Sequence, residues 1–214
     1  MLHFDEPLTL VGGSGAAPED ISTALAFAPR LIAADGGAAA VLEAGYRPEH
    51  VIGDMDSLPV ELRDSLRDVL SPVAEQDTTD FEKCLLRVRA PRILALGVMG
   101  GRLDHQLAVL NVLSRYRNRQ IVLFGTYDVA VLLPPRFSVR PTQGARLSLM
   151  PLAEARVWSE GLRWNVSGQP MAADGFLSIS NEVAGAVQLH TEGPVMLVLP
   201  AVELPAVWAG LDGR

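Results

Sequence analysis

Two aspartates one residue apart, Asp54 and Asp56, stand in the stretch Val-Ile-Gly-Asp-Met-Asp-Ser-Leu at 51–58, directly after an apolar run and a glycine. Carboxylates this close raise each other's pKa unless a cation neutralises them. Magnesium suits such a pair, because it is a hard ion that takes oxygen ligands from one or two carboxylates together with substrate phosphates. A second reading of the same residues is a turn, with Ser57 capping a helix expected over 59–70. Further along, Gln-Asp-Thr-Thr-Asp at 76–80 brings more carboxylates. Thr79 and Glu82 have capping-box spacing, so a helix is expected to start there with Asp80 in its first turn. An acidic residue at that position is favoured by the helix dipole whatever its function. Asp77 lies outside the helix, and beside Asp54 and Asp56 it would complete a metal site.

Gly-Gly-Arg-Leu-Asp-His at 100–105 offers the opposite charge. Gly100 and Gly101 allow a ligand close to the backbone. Arg102 and His105 share a face if a helix has begun, and a guanidinium beside helix N-terminal amides makes an anion site. Asp104 is expected as the N-cap of that helix. The segment Gly12-Gly13-Ser14-Gly15 lacks the following Lys-Ser/Thr of a P-loop, and neither a dinucleotide fingerprint nor a nucleophile elbow is present. The histidines at 3, 50, 105 and 190 and the single cysteine have no zinc spacing. These residues suit metal-assisted chemistry on a polyphosphate, not hydride or acyl transfer.

Short apolar runs precede each polar cluster. Strands are expected at Leu8–Val11, Leu31–Ala34, His50–Ile52, Ile93–Leu96, Ile121–Phe124 and Val129–Leu133, most of them continuous enough to be covered on both faces. Between them lie segments of helical spacing, such as Phe81, Cys84, Leu85 and Val88, and then Leu103, Leu107 and Leu110. Strand–helix alternation implies an α/β layer around a mostly parallel sheet flanked by helices. If the strands are parallel, the clusters after 11, 34, 52 and 96 all meet at one edge, where ligands bind in such sheets. From Pro134 onward the pattern becomes two-residue alternation, as in Leu177-Ser178-Ile179-Ser180 and Val187-Gln188-Leu189-His190, the mark of half-buried antiparallel strands. The expected division is therefore an α/β domain over 1–133, which the resemblance given below makes the nucleotide-binding catalytic domain, and a small antiparallel, β-sandwich-like domain over 134–214.

The chain has 214 residues, is 49% hydrophobic and 20% charged, and carries a formal charge of −7. That composition supports a sizeable core and argues against nucleic-acid binding, which relies on basic residues to neutralise phosphates. One cysteine, Cys84, rules out an intrachain disulfide. With no apolar run near the roughly 20 residues of a membrane helix and no signal-like N-terminus, the expectation is a cytoplasmic protein without membrane partners.

The segments Ala34-Asp35-Gly36-Gly37, Gly53–Ser57, Gln76–Leu85 and Gly100–His105, with Gly161–Trp164 and Ser178–Glu182 in the β region, together resemble the thiamine pyrophosphokinase family. The match runs through both expected domains in order. The resemblance implies transfer of the pyrophosphoryl group of ATP to the hydroxyethyl group of thiamine, giving thiamine diphosphate and AMP. It also implies Mg2+ and a homodimer with thiamine sites at the subunit interface. Asp54, Asp56 and Asp77 look like the metal-organising carboxylates and, with Arg102, the catalytic set. Asp35, Gly36, Gly37, Asp80, Gly100, Gly101, Asp104 and His105 look like the ATP side. Trp164, Ser180 and Asn181 look like the thiamine side, although a tryptophan is more often a core residue and Ser180-Asn181 also reads as a turn. Three departures stand out: Ala39 where relatives often have asparagine, Gln76 where many bacterial relatives have lysine, and Asn165 in place of a proline. Lys83 and Arg102 are then the candidates for positive charge near phosphates. A diphosphokinase for a pterin alcohol and a non-catalytic sensor are the rival readings.

Overall fold

The computed structural model describes residues 1–212. The chain divides into two compact units, Met1–Thr126 and the part from Tyr127 onward. In the first unit the order is β1 (Leu2–His3), β2 (Leu8–Val11), α1 (Pro18–Phe27), β3 (Arg30–Ala34), α2 (Gly37–Glu43), β4 (His50–Gly53), α3 (Val60–Arg63), β5 (Leu70–Pro72), α4 (Asp80–Arg87), β6 (Val88–Arg89), β7 (Ile93–Leu96), α5 (Leu103–Arg115) and β8 (Ile121–Phe124). Strands β2, β7 and β8 pair in parallel, and so do β3, β4 and β5. The two sets meet where the Arg30 N–H donates to the Pro7 carbonyl and Leu8 bridges Pro29.

Every residue of β2, β7 and β8 is buried, as parallel strands covered on both faces require. Burying one such leucine or isoleucine is worth about 1.5–3 kcal/mol. Ile21 of α1 and Val41 of α2 close over Val11, Leu31 and Val51. Helix α4 packs on β3 and β4, and the Cys84 thiol lies 3.9 Å from the Ile52 carbonyl. Complete burial pushes that thiol's pKa well up.

Two local expectations change. The helix expected over 59–70 is only the single turn α3, with Pro59 and not Ser57 at its N-cap. The chain must turn back over 64–69 to lay β5 beside β4, and this pairing overrides helical propensity. Pro72 is tolerated because β5 is an edge strand. Helix α5 forms as its spacing predicts, but Val109, Val112 and Leu113 are its buried residues, while Leu103 and Leu107 are exposed.

The second unit contains β9 (Asp128–Leu132), β10 (Arg136–Val139), β11 (Arg146–Pro151), β12 (Ala155–Leu162), β13 (Ser167–Met171), β14 (Ser178–Glu192), β15 (Val195–Pro200) and α6 (Leu204–Gly210). All its pairings are antiparallel. The division between units falls ahead of Pro134 because β9 pairs with β15. Along β12 the side chains alternate, with Ala155, Val157 and Ser159 inward and Arg156, Trp158 and Glu160 outward. The long β14 pairs with β11 near its start and with β12 and β10 further on.

Candidate active site

The polar clusters that follow β2, β3, β4 and β7 do meet. Gly12, Gly13 and Ser14, then Asp35 and Gly36, then Ser57, then Thr79 and Asp80, then Gly97, Gly101, Arg102 and His105 line one cleft of about 430 Å³ in the first unit. Parallel register carries each strand to this edge, and the loops supply the chemistry. Gly12 and Gly97 touch so closely that a Cβ on either would sit 2.6 or 2.5 Å from the other's carbonyl oxygen. No other residue fits at that contact, which brings two loops to the cleft wall. Gly37 opens α2 and packs so closely on the Val11 carbonyl that a side chain has no room there.

Carboxylate oxygens of Asp35, Asp54 and Asp56 lie within 4.8 Å of one another. Asp35 is almost fully buried. Its Oδ2 accepts the Ser57 N–H at 3.0 Å, and its Oδ1 has no hydrogen-bond partner among the described residues. Burial first, and the nearby Asp80 charge after it, push the Asp35 pKa up. Asp54 moves the other way, to about 2, because it accepts a hydrogen bond from Lys83 Nζ at 2.9 Å. Gln76 Nε2 donates to the same Asp54 oxygen at 3.0 Å, and Asp54 Oδ1 accepts the Asp56 N–H at 3.3 Å. The rise that carboxylate repulsion alone would give Asp54 is thus reversed by the lysine. Asp35 and Met55 hold positive φ of 43° and 67°, a conformation that costs non-glycine residues about 1 kcal/mol or more.

An all-oxygen donor set with a buried, partnerless carboxylate oxygen fits a hard divalent cation. Asp77, expected as the third ligand, is not in this group. It is exposed, and its N–H donates to the Glu75 carboxylate at 2.9 Å. Glu75 also accepts the Thr78 N–H at 3.1 Å and so shapes that loop. Nothing in its sequence context marked it. Asp35, expected on the nucleotide side, supplies the third carboxylate.

Helix α4 starts with Thr79 as N-cap, whose hydroxyl accepts the Glu82 N–H at 3.3 Å. The reciprocal half of the capping box is absent. The Glu82 carboxylate instead takes two bonds from Arg115, at 2.5 and 2.6 Å, and one from the Tyr116 hydroxyl at 3.0 Å. This ties the start of α4 to the end of α5. Arg102, not Asp104, occupies the N-cap position of α5. Asp104 lies in the first turn, where its exposed ion pair with Arg102 lowers its pKa to about 2. Arg102 and His105 both line the cleft, although the helix begins only after Arg102.

In the second unit, Trp164 is 57% exposed, and the Arg163 guanidinium stacks 4.8 Å from its ring centroid. Asn181 is buried and spends its amide on Trp164. It accepts the Trp164 N–H at 3.2 Å and donates to the Trp164 carbonyl at 2.7 Å. Ser180 sits in a bulge of β14 opposite Ser148, with φ of 57° and its N–H donating to Ser148 Oγ at 3.1 Å. Asn165 accepts the Leu162 N–H at 3.1 Å, closing the turn that presents Trp164. A groove between Trp164, Phe176, Leu177 and Ile179 adjoins the ring.

Fold and cleft together define a parallel α/β unit with an acidic, glycine-walled site, followed by an antiparallel β unit. Residues 22–124 match the family described as thiamin pyrophosphokinase, catalytic domain, and residues 136–196 match its vitamin B1 binding domain. The chain belongs to the thiamin pyrophosphokinase family. Thiamine pyrophosphokinase 1 of Oryza sativa subsp. japonica is 34% identical over 64% of this chain and 60% of the relative, and thiamine pyrophosphokinase 3 of the same plant is 30% identical over 73% and 74%. The chain spans about three-fifths of the length of the first of these. Thiamin pyrophosphokinase from Geobacillus thermodenitrificans superposes with a TM-score of 0.78 at 25% identity, covering 94% of this chain and 99% of that one. The Candida albicans structure gives 0.80 at 16% identity over 94% and 93%, a likeness of fold.

Proposed function

We propose that this chain is an ATP:thiamine diphosphotransferase that converts thiamine and ATP to thiamine diphosphate and AMP. The observation that carries the reading is the meeting of Asp54 and Asp56 with Asp35, whose buried Oδ1 has no hydrogen-bond partner among the described residues and which itself lines the cleft with Arg102 and His105. The family match, with its vitamin B1 binding domain, supports thiamine as the acceptor.

In this reaction the thiamine hydroxyl oxygen bonds to the β-phosphorus, the bond from that phosphorus to the α-bridging oxygen breaks, and AMP leaves. Phosphoryl transfer asks the protein mainly for positioning and charge stabilisation. Backbone amides of the loops after β2 and β7 line the polyphosphate path. Arg102 offsets charge on the transferred group, and a carboxylate of the cluster takes the hydroxyl proton. Asp35, Asp54 and Asp56 are the residues that would hold Mg2+, whose chemistry is to neutralise charge between carboxylates and polyphosphate. Trp164 gives thiamine a flat face, with Ser180 beside it and Asn181 fixing the indole's backbone. The protein works as a cytoplasmic homodimer whose subunits share the thiamine sites. Among the described residues no helix is long and apolar enough to cross a membrane.

The test is AMP release from ATP with thiamine and magnesium. Release dependent on thiamine and abolished by a chelator is expected. Release only with a pterin alcohol, or ligand binding without any AMP, would replace this function with one of its rivals.

A further inference from the structure

Lys83 is the largest fully buried side chain in the described structure. Its Nζ donates to Asp54 Oδ2 at 2.9 Å and to Asp80 Oδ1 at 3.0 Å. A buried ammonium is tolerated only when paired, and here both partners belong to the acidic edge of the cleft. The cation is therefore sealed behind the carboxylates, and a phosphate could reach it only by displacing them. The departure at Gln76 makes Lys83 a candidate source of charge for phosphates; its burial gives it another task.

We propose that Lys83 is a positioning residue that acts as the resident counter-charge of the acidic cluster. It holds Asp54 in place and keeps the nucleotide-free site from gripping a divalent cation tightly, so that the cation enters together with its polyphosphate. The proposal rests on the reading of Asp35, Asp54 and Asp56 as cation ligands. Asp54 Oδ2 is occupied by Lys83 and Gln76, which leaves Oδ1 on the side of Asp56. Gly53 permits the assembly: a Cβ there would lie 2.6 Å from the Asp35 Cβ and 3.2 Å from Asp80 Oδ1. Four carboxylates, those of Asp35, Asp54, Asp56 and Asp80, otherwise confront each other with Lys83 as their buried cation. Removing one positive charge a few ångströms from a cation site raises cation affinity by a factor of about ten or more on Coulombic grounds.

The decisive measurement is Mn2+ binding to the nucleotide-free protein, followed by the spectroscopic signal of free Mn2+. Wild type, Lys83→Met and the charge-restoring Lys83→Met/Asp80→Asn double variant are compared. Lys83→Met is expected to bind Mn2+ at least about tenfold more tightly, and the double variant to return to within about threefold of wild type. The metal-free single variant should also melt lower and recover more on adding Mg2+ than wild type does. A Lys83→Met that folds only with millimolar cation is the same result in stronger form. Unchanged or weaker Mn2+ binding overturns the proposal, as does a variant that stays unfolded with cation present. In steady state kcat should fall while KM for ATP stays near wild type; a raised KM with unaltered Mn2+ binding would place Lys83 on the phosphates instead. Thiamine-dependent AMP release by wild type is scored separately, so loss of the enzymatic reading and loss of the counter-charge are distinguishable.

Discussion

The acidic edge of the first unit and the Trp164 corner of the second are built by opposite means. At the acidic edge, charged groups are buried and held by other charges: Lys83 against Asp54 and Asp80, with Glu82 against Arg115 close by. At the Trp164 corner the large apolar surface is exposed, and neutral amides do the holding, with Asn181 bracketing the Trp164 backbone and Asn165 closing the turn. Polyphosphate and metal need fixed charge in a sheltered place, where electrostatic interactions are strong. A flat heteroaromatic ligand needs an open face at fixed orientation. Both regions use left-handed residues, at Asp35 and Met55 in one and Ser180 in the other, to redirect the chain and aim the side chains next to them.

The contrast predicts where damage is greatest. Asp56→Asn should lower the rate of AMP release by at least about a thousandfold while circular dichroism stays native, since it removes a cluster carboxylate without changing shape. Near-normal turnover would end the assignment. Trp164→Ala should raise KM for thiamine by roughly ten- to a hundredfold, in line with about 1.5–3 kcal/mol for an aromatic contact, and leave KM for ATP alone. Asn181→Ala should move the thiamine KM in the same direction, about three- to tenfold, through Trp164. A shift in the ATP constant instead would contradict the division of labour.

The smallest effect concerns pH. Hydrogen bonds from Arg115 hold the Glu82 carboxyl below its usual pKa. A carboxylate depressed in the folded state adds stability above its unfolded pKa and loses it as pH falls through the folded one. Glu82→Gln should therefore cost about 1–2 kcal/mol near neutrality, the half-exposed Arg115 moderating the loss. The gap between variant and wild type should close below the ordinary carboxylate range, as denaturant titrations at several pH values would show. A gap that persists at low pH would mean that packing, not the ion pair, carries the effect.

Much of this was readable from residue order. Apolar runs such as Ile93–Leu96 mark buried parallel strands because few other elements suit four consecutive buried residues, and Gly-Asp-Met-Asp-Ser announces carboxylates at a strand end. Long-range geometry was not readable. Asp35 joins Asp54 and Asp56 only because β3 and β4 lie side by side. Lys83 follows Asp80 at the i, i+3 spacing of an ion pair, which was the available sign of its role. Its reach to Asp54 depends on α4 packing on β4. Glu82 fits a capping box by sequence but finds a guanidinium 33 positions away. The Leu103/Leu107 face misleads because helical spacing identifies a helix without saying which side the sheet occupies.

Cys84, the chain's sole thiol, is shut against the strand that leads into Asp54. With its pKa raised by burial, it is inert to alkylating probes for as long as α4 stays seated. Nature has thus placed a chemical tell-tale beneath the acidic edge, one whose labelling clocks each excursion of that helix. Cation plus nucleotide should slow the clock, with no engineered tag required.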